Sequence, residues 1–396
     1  MELAKRLDRI SEPQTIRMAK LSRELKAQGH DIIDLSLGEP DFRTPQHICD
    51  AATEAMAAGY TKYTPVVGYP ELREAISHKL KRDNGLDYGI DEIIVSTGAK
   101  QCLANAVLSI INPGDEVIIP TPYWVTYSAL VQLAEGTCKF VDCFIDTDFK
   151  LTADKLEAAI TPQTKLFIFS SPCNPTGSVY SREELAALAE VFLRHPHVFI
   201  ISDEIYEYIN FSGTHHSIAQ FPGLKDRVAI VNGMSKGFAM TGWRLGYMAA
   251  PKELVQACDK FQAQFTSATS SITQRASIAA LTGSLEATRE MVKAFRERRD
   301  YVTDALNSMP GVKMNVPDGA FYAFPNISSF IGKSDGETVI NNDEDFSMYL
   351  LHKAHVTTVN GGAFGNPNCI RISTATSIDK LKKAMERIKA ALEKLH

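Results

Sequence analysis

One lysine in this sequence has neighbours that suit covalent chemistry. Lys236 lies in the stretch Asn232-Gly233-Met234-Ser235-Lys236-Gly237-Phe238-Ala239-Met240-Thr241-Gly242-Trp243-Arg244-Leu245-Gly246. The apolar run Val228-Ala229-Ile230-Val231 before it reads as a buried strand, and a second apolar run, 245–250, follows. The lysine therefore falls just past a strand end, among small residues that let a flat ligand approach the backbone. Arg244 returns a second positive charge to the same place, and a cationic neighbour lowers a lysine's pKa until its amine is free to form a Schiff base. The competing reading is a solvent-exposed lysine at a loop tip. The remaining chemistry-bearing residues decide between the two.

Asp203 ends an apolar run and has Tyr206 three residues on. If buried, that acid needs a cationic or donor partner, and a protonated pyridine nitrogen is one; the alternative is a surface loop acid. Asn174, its backbone held by Pro175, suits a hydrogen bond to a phenolate oxygen. Trp124 follows Pro122-Tyr123 at a strand end, where an indole stacks on a flat ring or simply fills the core. Gly98-Ala99-Lys100 turns from strand into helix, presenting backbone N–H groups and a positive helix end to a phosphate. Ser235 and Arg244 add a hydroxyl and a fork of donors for the same anion. No Gly-x-Gly-x-x-Gly and no Walker lysine motif occurs, so a nucleotide is not indicated. Arg371, inside the apolar run 369–373, is costly unless a carboxylate pairs with it. Tyr60 and Tyr63, on a Pro/Gly loop, read as ligand or partner contacts or as a plain loop. A phosphate, a flat ring, an acid for a pyridinium, a Schiff-base lysine and a carboxylate-binding arginine together describe pyridoxal 5′-phosphate holding an amino acid.

Alternating strands and helices must carry these residues. Strands are expected at 31–36, 93–97, 116–120, 166–169 and 198–206, with helices at 14–29, from Thr44-Pro45 to Gly59, from Pro70, at 98–111 and at 182–194. Thr44 reads as a cap, and Ser181 with Glu184 as a capping box. Near-continuous apolar strands between helices argue a mostly parallel sheet buried on both faces. In such sheets ligands sit at the carboxyl ends of the strands. Gly98, Asn174, Asp203 and Lys236 each follow a strand, and that shared address lifts Lys236 above the loop-tip reading. A long charged helix over 285–307 is expected to link two domains, strands at 319–325 and 369–373 to belong to the smaller one, and 378–395 to be a solvated covering helix.

The 396 residues allow two to three domains, and a net charge of −5 with no basic stripe gives no reason to expect nucleic acid. No secretory signal and no run of membrane-spanning length is visible. Seven scattered cysteines without Cys-x-x-Cys favour reduced thiols and a cytoplasmic address, Cys173 being a small filler. His195/His197 and His215/His216 read as loop histidines, and no metal is expected.

The run Gly233-Met234-Ser235-Lys236-x-x-Ala239-Met240-Thr241-Gly242-Trp243-Arg244-Leu245-Gly246 resembles the lysine signature of the class I/II pyridoxal-phosphate-dependent aminotransferases, fold type I. Ser171-Pro172-x-Asn174-Pro175-Thr176-Gly177 and Ser202-Asp203-Glu204-x-Tyr206 match in the family's order, and the resemblance extends from Gly38-Glu39-Pro40-Asp41-Phe42 to Arg371. It looks nearest to the bacterial aspartate aminotransferase branch, through Lys62-Tyr63 and Gly98-Ala99-Lys100-Gln101. The resemblance implies an α/β architecture with a mostly parallel seven-stranded sheet in a large domain (48–290). It also implies a smaller α+β domain (291–396) that the N-terminal segment (1–47) joins.

It implies, too, that Lys236 carries the cofactor and moves a proton between the substrate Cα and C4′ of the cofactor, while Asp203 keeps the ring nitrogen protonated. Tyr206 and Asn174 bond the phenolic oxygen, Trp124 stacks on the ring, and Ala99, Lys100, Ser235 and Arg244 bind the phosphate. Tyr63 reaches the phosphate in the other subunit of a homodimer. Arg371 binds the substrate carboxylate, helped by Gly38. Lys100 recognises a distal carboxylate and Thr15 lines the pocket, which favours aspartate with 2-oxoglutarate in a ping-pong transamination. Prephenate, aromatic and alanine transamination, a β-lyase, and a non-catalytic regulator stay as alternatives; the regulator would need a further DNA-binding segment of ~60 residues. Two positions depart from the family. Gly233 stands where many relatives have a serine, which takes away one phosphate donor, and Asn360 stands where a proline is usual, which leaves the stiffness of the 359–364 loop open.

Overall fold

In the computed structural model, which describes residues 1 and 3–396, the strands in chain order are β1 (Ile33–Asp34), β2 (Ile93–Ser96), β3 (Glu116–Thr121), β4 (Thr137–Asp142), β5 (Thr164–Ser170) and β6 (Phe199–Asp203). They continue with β7 (Val228–Gly233), β8 (Gly246–Ala249), β9 (Tyr322–Ala323), β10 (Val356–Thr357), β11 (Val359–Asn360) and β12 (Ile370–Ser373). Seven of them form the main sheet in the order β2-β8-β7-β6-β5-β3-β4. Only β8 runs against its neighbours, β2 and β7; the other pairings are parallel.

Alternation along the strands explains why both faces are covered. Phe167 and Phe169 join Ile200 and Ile230 in one apolar cluster, while Leu166 and Ile168 join Ile201 and Val231 in another. Successive side chains of a strand point to opposite faces, so a strand apolar at every position needs helices on both sides. The first cluster includes the helices Gln46–Ala57, Pro70–Asn84, Arg182–Arg194 and Ser271–Thr282; the second includes Ala99–Ile110, Thr126–Leu133 and Lys252–Phe265. The capping box forms as expected: Glu184 N donates to Ser181 Oγ at 3.2 Å and Ser181 N to Glu184 Oε2 at 2.7 Å, a cap that stabilises by about 1 kcal/mol.

A second group of elements packs around β1, β9, β10, β11 and β12. β1 pairs in parallel with β10, which ties the N-terminal segment to the C-terminal third of the chain, and β11, β12 and β9 form an antiparallel sheet. The helix Glu286–Asn307 bridges the two regions, with Phe295 in the cluster beside Tyr206 and Tyr322, and Val302 and Leu306 in the cluster around β12.

Several expectations need correction. The strand expected over 31–36 pairs only at Ile33–Asp34. Thr44 does not cap its helix: its Oγ1 donates to Ala239 O at 2.8 Å and accepts from Trp243 Nε1 at 3.0 Å, tying the N-terminal segment to the lysine loop. The C-terminal helix Ile378–Leu392 is more than a cover, since Leu381, Ala384, Met385 and Ile388 complete the small core.

Candidate active site

The ends of β2, β3, β5, β6 and β7 deliver side chains to one cavity of about 350 Å³, and the loop after β1, with Tyr322 of β9 and Arg371 of β12, closes it from the other side. Ala99, Lys100, Trp124, Asn174, Asp203, Tyr206, Ser235, Lys236, Arg244, Arg371, Gly38 and Thr15 all line it, as the sequence places them. Gly98 sits just behind the wall, and Tyr63 lies outside it with its side chain in solvent, 96% exposed.

Gly98 leads its turn with φ +88°, a region other residues avoid. A Cβ there would stand 2.4 Å from Arg244 Nη2, so glycine is what lets the arginine reach the start of the helix Ala99–Ile110. Arg244 is held by its own bonds to Thr241 O (3.0 Å) and Thr97 O (3.3 Å). Gly233 has an equally physical reason. It faces Gly246 across β7 and β8, and a Cβ would meet Gly246 Cα and Leu245 O at 2.8 Å. A serine does not fit this crossing, so the missing donor is a consequence of close strand packing.

Lys236 is half-buried, and its Nζ donates to Gly38 O at 2.5 Å. Burial, with the charge of Arg371 second, lowers its pKa from 10.5 to about 8. Asp203 is 4% exposed. Tyr127 donates its hydroxyl to Asp203 Oδ2 at 2.7 Å and Ile205 N donates to Oδ1 at 3.3 Å. Burial pushes the carboxyl up to about 6, and Tyr127 opposes that rise. The Tyr206 hydroxyl shares a hydrogen bond of 2.8 Å with the Tyr322 hydroxyl. Lys100 Nζ lies 5.0 Å over the Trp124 ring, its pKa lowered first by burial and then by Arg244.

Arg371 is 2% exposed. Its Nη1 donates to Asn174 Oδ1 at 3.0 Å and Nη2 to Ser36 O at 2.6 Å, while Nε is buried without a partner. Its guanidinium stacks 4.6 Å from the Tyr322 ring and 4.9 Å from Phe364. Among the described residues no protein carboxylate pairs with it. Asn360, where stiffness was open, donates to Asp343 Oδ2 at 3.2 Å, and Gly362 N donates to the same oxygen at 2.6 Å. That clamp fixes the loop carrying Phe364.

Sequence reasoning missed Tyr127 and Tyr322. Tyr127 stands three residues after Trp124 at a helix start, a spacing that puts both on one side. Tyr322 reaches the site only through the long-range pairing of β9 with β12. His215 does lie on a loop, as read, but it is not a free solvated side chain. His215 Nε2 is 2.8 Å from Glu204 Oε2, and Glu204 Oε1 accepts from Ser202 and Ser217. Glu207 beside it pairs with buried Lys79.

The chain has counterparts among known proteins. The sequence profile of the family described as aminotransferase class I and II matches residues 30–388. The chain is 49% identical over 399 residues to the bifunctional aspartate aminotransferase and glutamate/aspartate-prephenate aminotransferase of Petunia hybrida, covering 99% of this chain and 83% of that one. It is 50% identical over 391 residues to the aspartate/prephenate aminotransferase of Cereibacter sphaeroides, covering 98% of each. The crystal structure of the aspartate aminotransferase from Rhizobium meliloti matches with a TM-score of 0.97 and 46% identity over 100% of both chains. The fold is therefore that of the fold type I aminotransferases, and the chain belongs to the class I and II aminotransferase family.

Proposed function

We propose that this aminotransferase exchanges an amino group between aspartate and 2-oxoglutarate in a ping-pong reaction, using pyridoxal 5′-phosphate at Lys236. The observation that carries the reading is a half-buried lysine with its pKa lowered to about 8, set in one cavity with a buried acid and a buried arginine that, among the described residues, has no protein carboxylate partner. The residues fit the cofactor. The cradle between Gly98 and Arg244, which a Cβ would fill, suits its phosphate together with Ser235 and the backbone of Ala99 and Lys100. Asp203 suits a protonated ring nitrogen, Asn174 and Tyr206 a phenolic oxygen, and Trp124 a ring face. Bound there, pyridoxal phosphate supplies an electron sink for the pair left behind when the substrate Cα gives up its proton.

The chain's own residues do the rest. Arg371, stacked between Tyr322 and Phe364 and bonded to Asn174, grips the substrate α-carboxylate with the Gly38 backbone beside it. The Lys236 amine takes the Cα proton, and at a value of about 8 it loses and regains one readily near neutral pH. Lys100, which lines the cavity with Thr15 and keeps its own side chain partly in solvent, meets a distal carboxylate. The aspartate-specific names of the relatives support the substrate, and two of those names favour prephenate as a second acceptor.

We further propose a homodimer in which exposed Tyr63 completes the partner's phosphate site. The domain division remains 1–47, 48–290 and 291–396, supported by the β1–β10 pairing. Seven free cysteines support a reducing, cytoplasmic setting. No described helix is long and apolar enough to cross a membrane. The test is a half-reaction scan of the holoenzyme with single amino acids, following the visible absorbance of the lysine-linked cofactor. Rapid loss of that band with aspartate and glutamate, and regeneration by 2-oxoglutarate, is expected. Rapid loss with phenylalanine or alanine while aspartate is slow would overturn the substrate.

A further inference from the structure

We infer that Tyr127 is a positioning residue for Asp203: its hydroxyl holds the carboxylate in the ionised form and leaves the remaining oxygen lone pairs facing the cavity. The inference rests on the reading above that Asp203 holds the ring nitrogen of pyridoxal phosphate. The Tyr127 hydroxyl donates to Asp203 Oδ2 at 2.7 Å, and both side chains are buried, at 1% and 4% exposed. Among the described residues, no cationic side chain hydrogen-bonds this carboxylate. Its other contact is the longer bond from Ile205 N. Tyr127 is thus the strongest donor available to an acid that burial drives toward its neutral form.

The tyrosine is built for a fixed role. It sits on the first turn of the helix Thr126–Leu133. Its ring meets Trp124 edge-on, with centroids 5.7 Å apart and planes at 88°. Burial raises its own pKa well above 10, so it donates at any working pH and never competes as an anion. The other groups facing Asp203 push in mixed directions. Glu204, next along the chain, raises its pKa, and Lys236 from the loop after β7 lowers it. Tyr206, Cys102 from the helix Ala99–Ile110, and Cys173 from the loop after β5 face it as neutral groups held above their usual values by burial. Removing the one short donor therefore moves the carboxyl upward, toward protonation near neutral pH. A protonated Asp203 no longer offers a negative charge to a protonated ring nitrogen, and the cofactor loosens.

The experiment measures the cofactor dissociation constant of the parent, Tyr127→Phe and Asp203→Asn proteins across the span around Asp203's value of about 6. Phenylalanine keeps the ring and its packing and deletes only the hydroxyl, so the thermal midpoint of the variant serves as the folding control. Losing a hydrogen bond to a charged group weakens binding by about ten- to hundredfold. The expected result is that loss at neutral pH for Tyr127→Phe, with affinity starting to fall at a higher pH than in the parent. Asp203→Asn should bind weakly with no pH step in that span. If Tyr127→Phe keeps the parent's profile while Asp203→Asn binds weakly, Tyr127 only packs and the inference fails alone. If Asp203→Asn binds as tightly as the parent, the role given to Asp203 fails, and the inference with it.

Discussion

Replacing Arg371 with glutamine separates binding from folding in a way most buried substitutions do not. The guanidinium is 2% exposed, donates to Asn174 Oδ1 and Ser36 O, and has no carboxylate among the described residues. Burying an ion costs several kcal/mol, which an opposite charge offsets only when it is present. Each hydrogen bond from a charged donor contributes about 1.5–3 kcal/mol. In Arg371→Gln the relief of the first term opposes the loss of the second, so the unfolding free energy should change by no more than about 2 kcal/mol. The substrate carboxylate, in contrast, loses its counter-charge in a closed site. Truncating one side of a buried, hydrogen-bonded charge pair costs about 2–5 kcal/mol, or roughly 30- to 4,000-fold in kcat/KM. The assay pairs steady-state kcat/KM for aspartate with urea unfolding of the same samples. A kcat/KM loss under about tenfold, or a loss fully accounted for by unfolding, would refute the assignment of Arg371 as the carboxylate holder.

Two further outcomes follow from buried charges elsewhere. With the cofactor removed, Lys236 titrates at about 8 in the folded protein against 10.5 as its ordinary value. The unfolded chain then binds more protons between those values, so stability should rise with pH through that window, and Lys236→Met should flatten the rise in a urea titration. Lys79, paired with Glu207 and bonded to Asn84 Oδ1 at 2.8 Å with no side-chain exposure, answers the buried negative charge of Glu207. Lys79→Met should cost about 3–5 kcal/mol in urea unfolding, and adding Glu207→Leu should recover most of it; no recovery would mean the lysine acts mainly through its packing.

The sequence made the strand-end residues legible because each closes a run of β-branched or aromatic residues that can only be a buried strand. Gly98, Asn174, Asp203 and Lys236 could be gathered to one edge from that pattern alone, before any resemblance was used. β4 escaped notice because it is an edge strand, half exposed, that carries no site residue. Tyr322 and the Asp343–Asn360 clamp depend on pairings between segments far apart in the chain, which no local periodicity encodes. His215 misled for a different reason: a histidine on a polar loop looks solvated until Glu204 is seen to turn back toward it. Gly233 looked like a lost donor, and it is a steric requirement of the β7–β8 crossing.

The central claim is that Lys236 carries the cofactor and that aspartate displaces it. Borohydride reduction of the purified holoenzyme followed by peptide mass mapping tests it most directly. The reduced cofactor is expected on the peptide containing Lys236, and is expected to be absent from that peptide when excess aspartate is added before the borohydride. A label on another lysine, Lys100 above all, or a Lys236 label indifferent to aspartate, would contradict it.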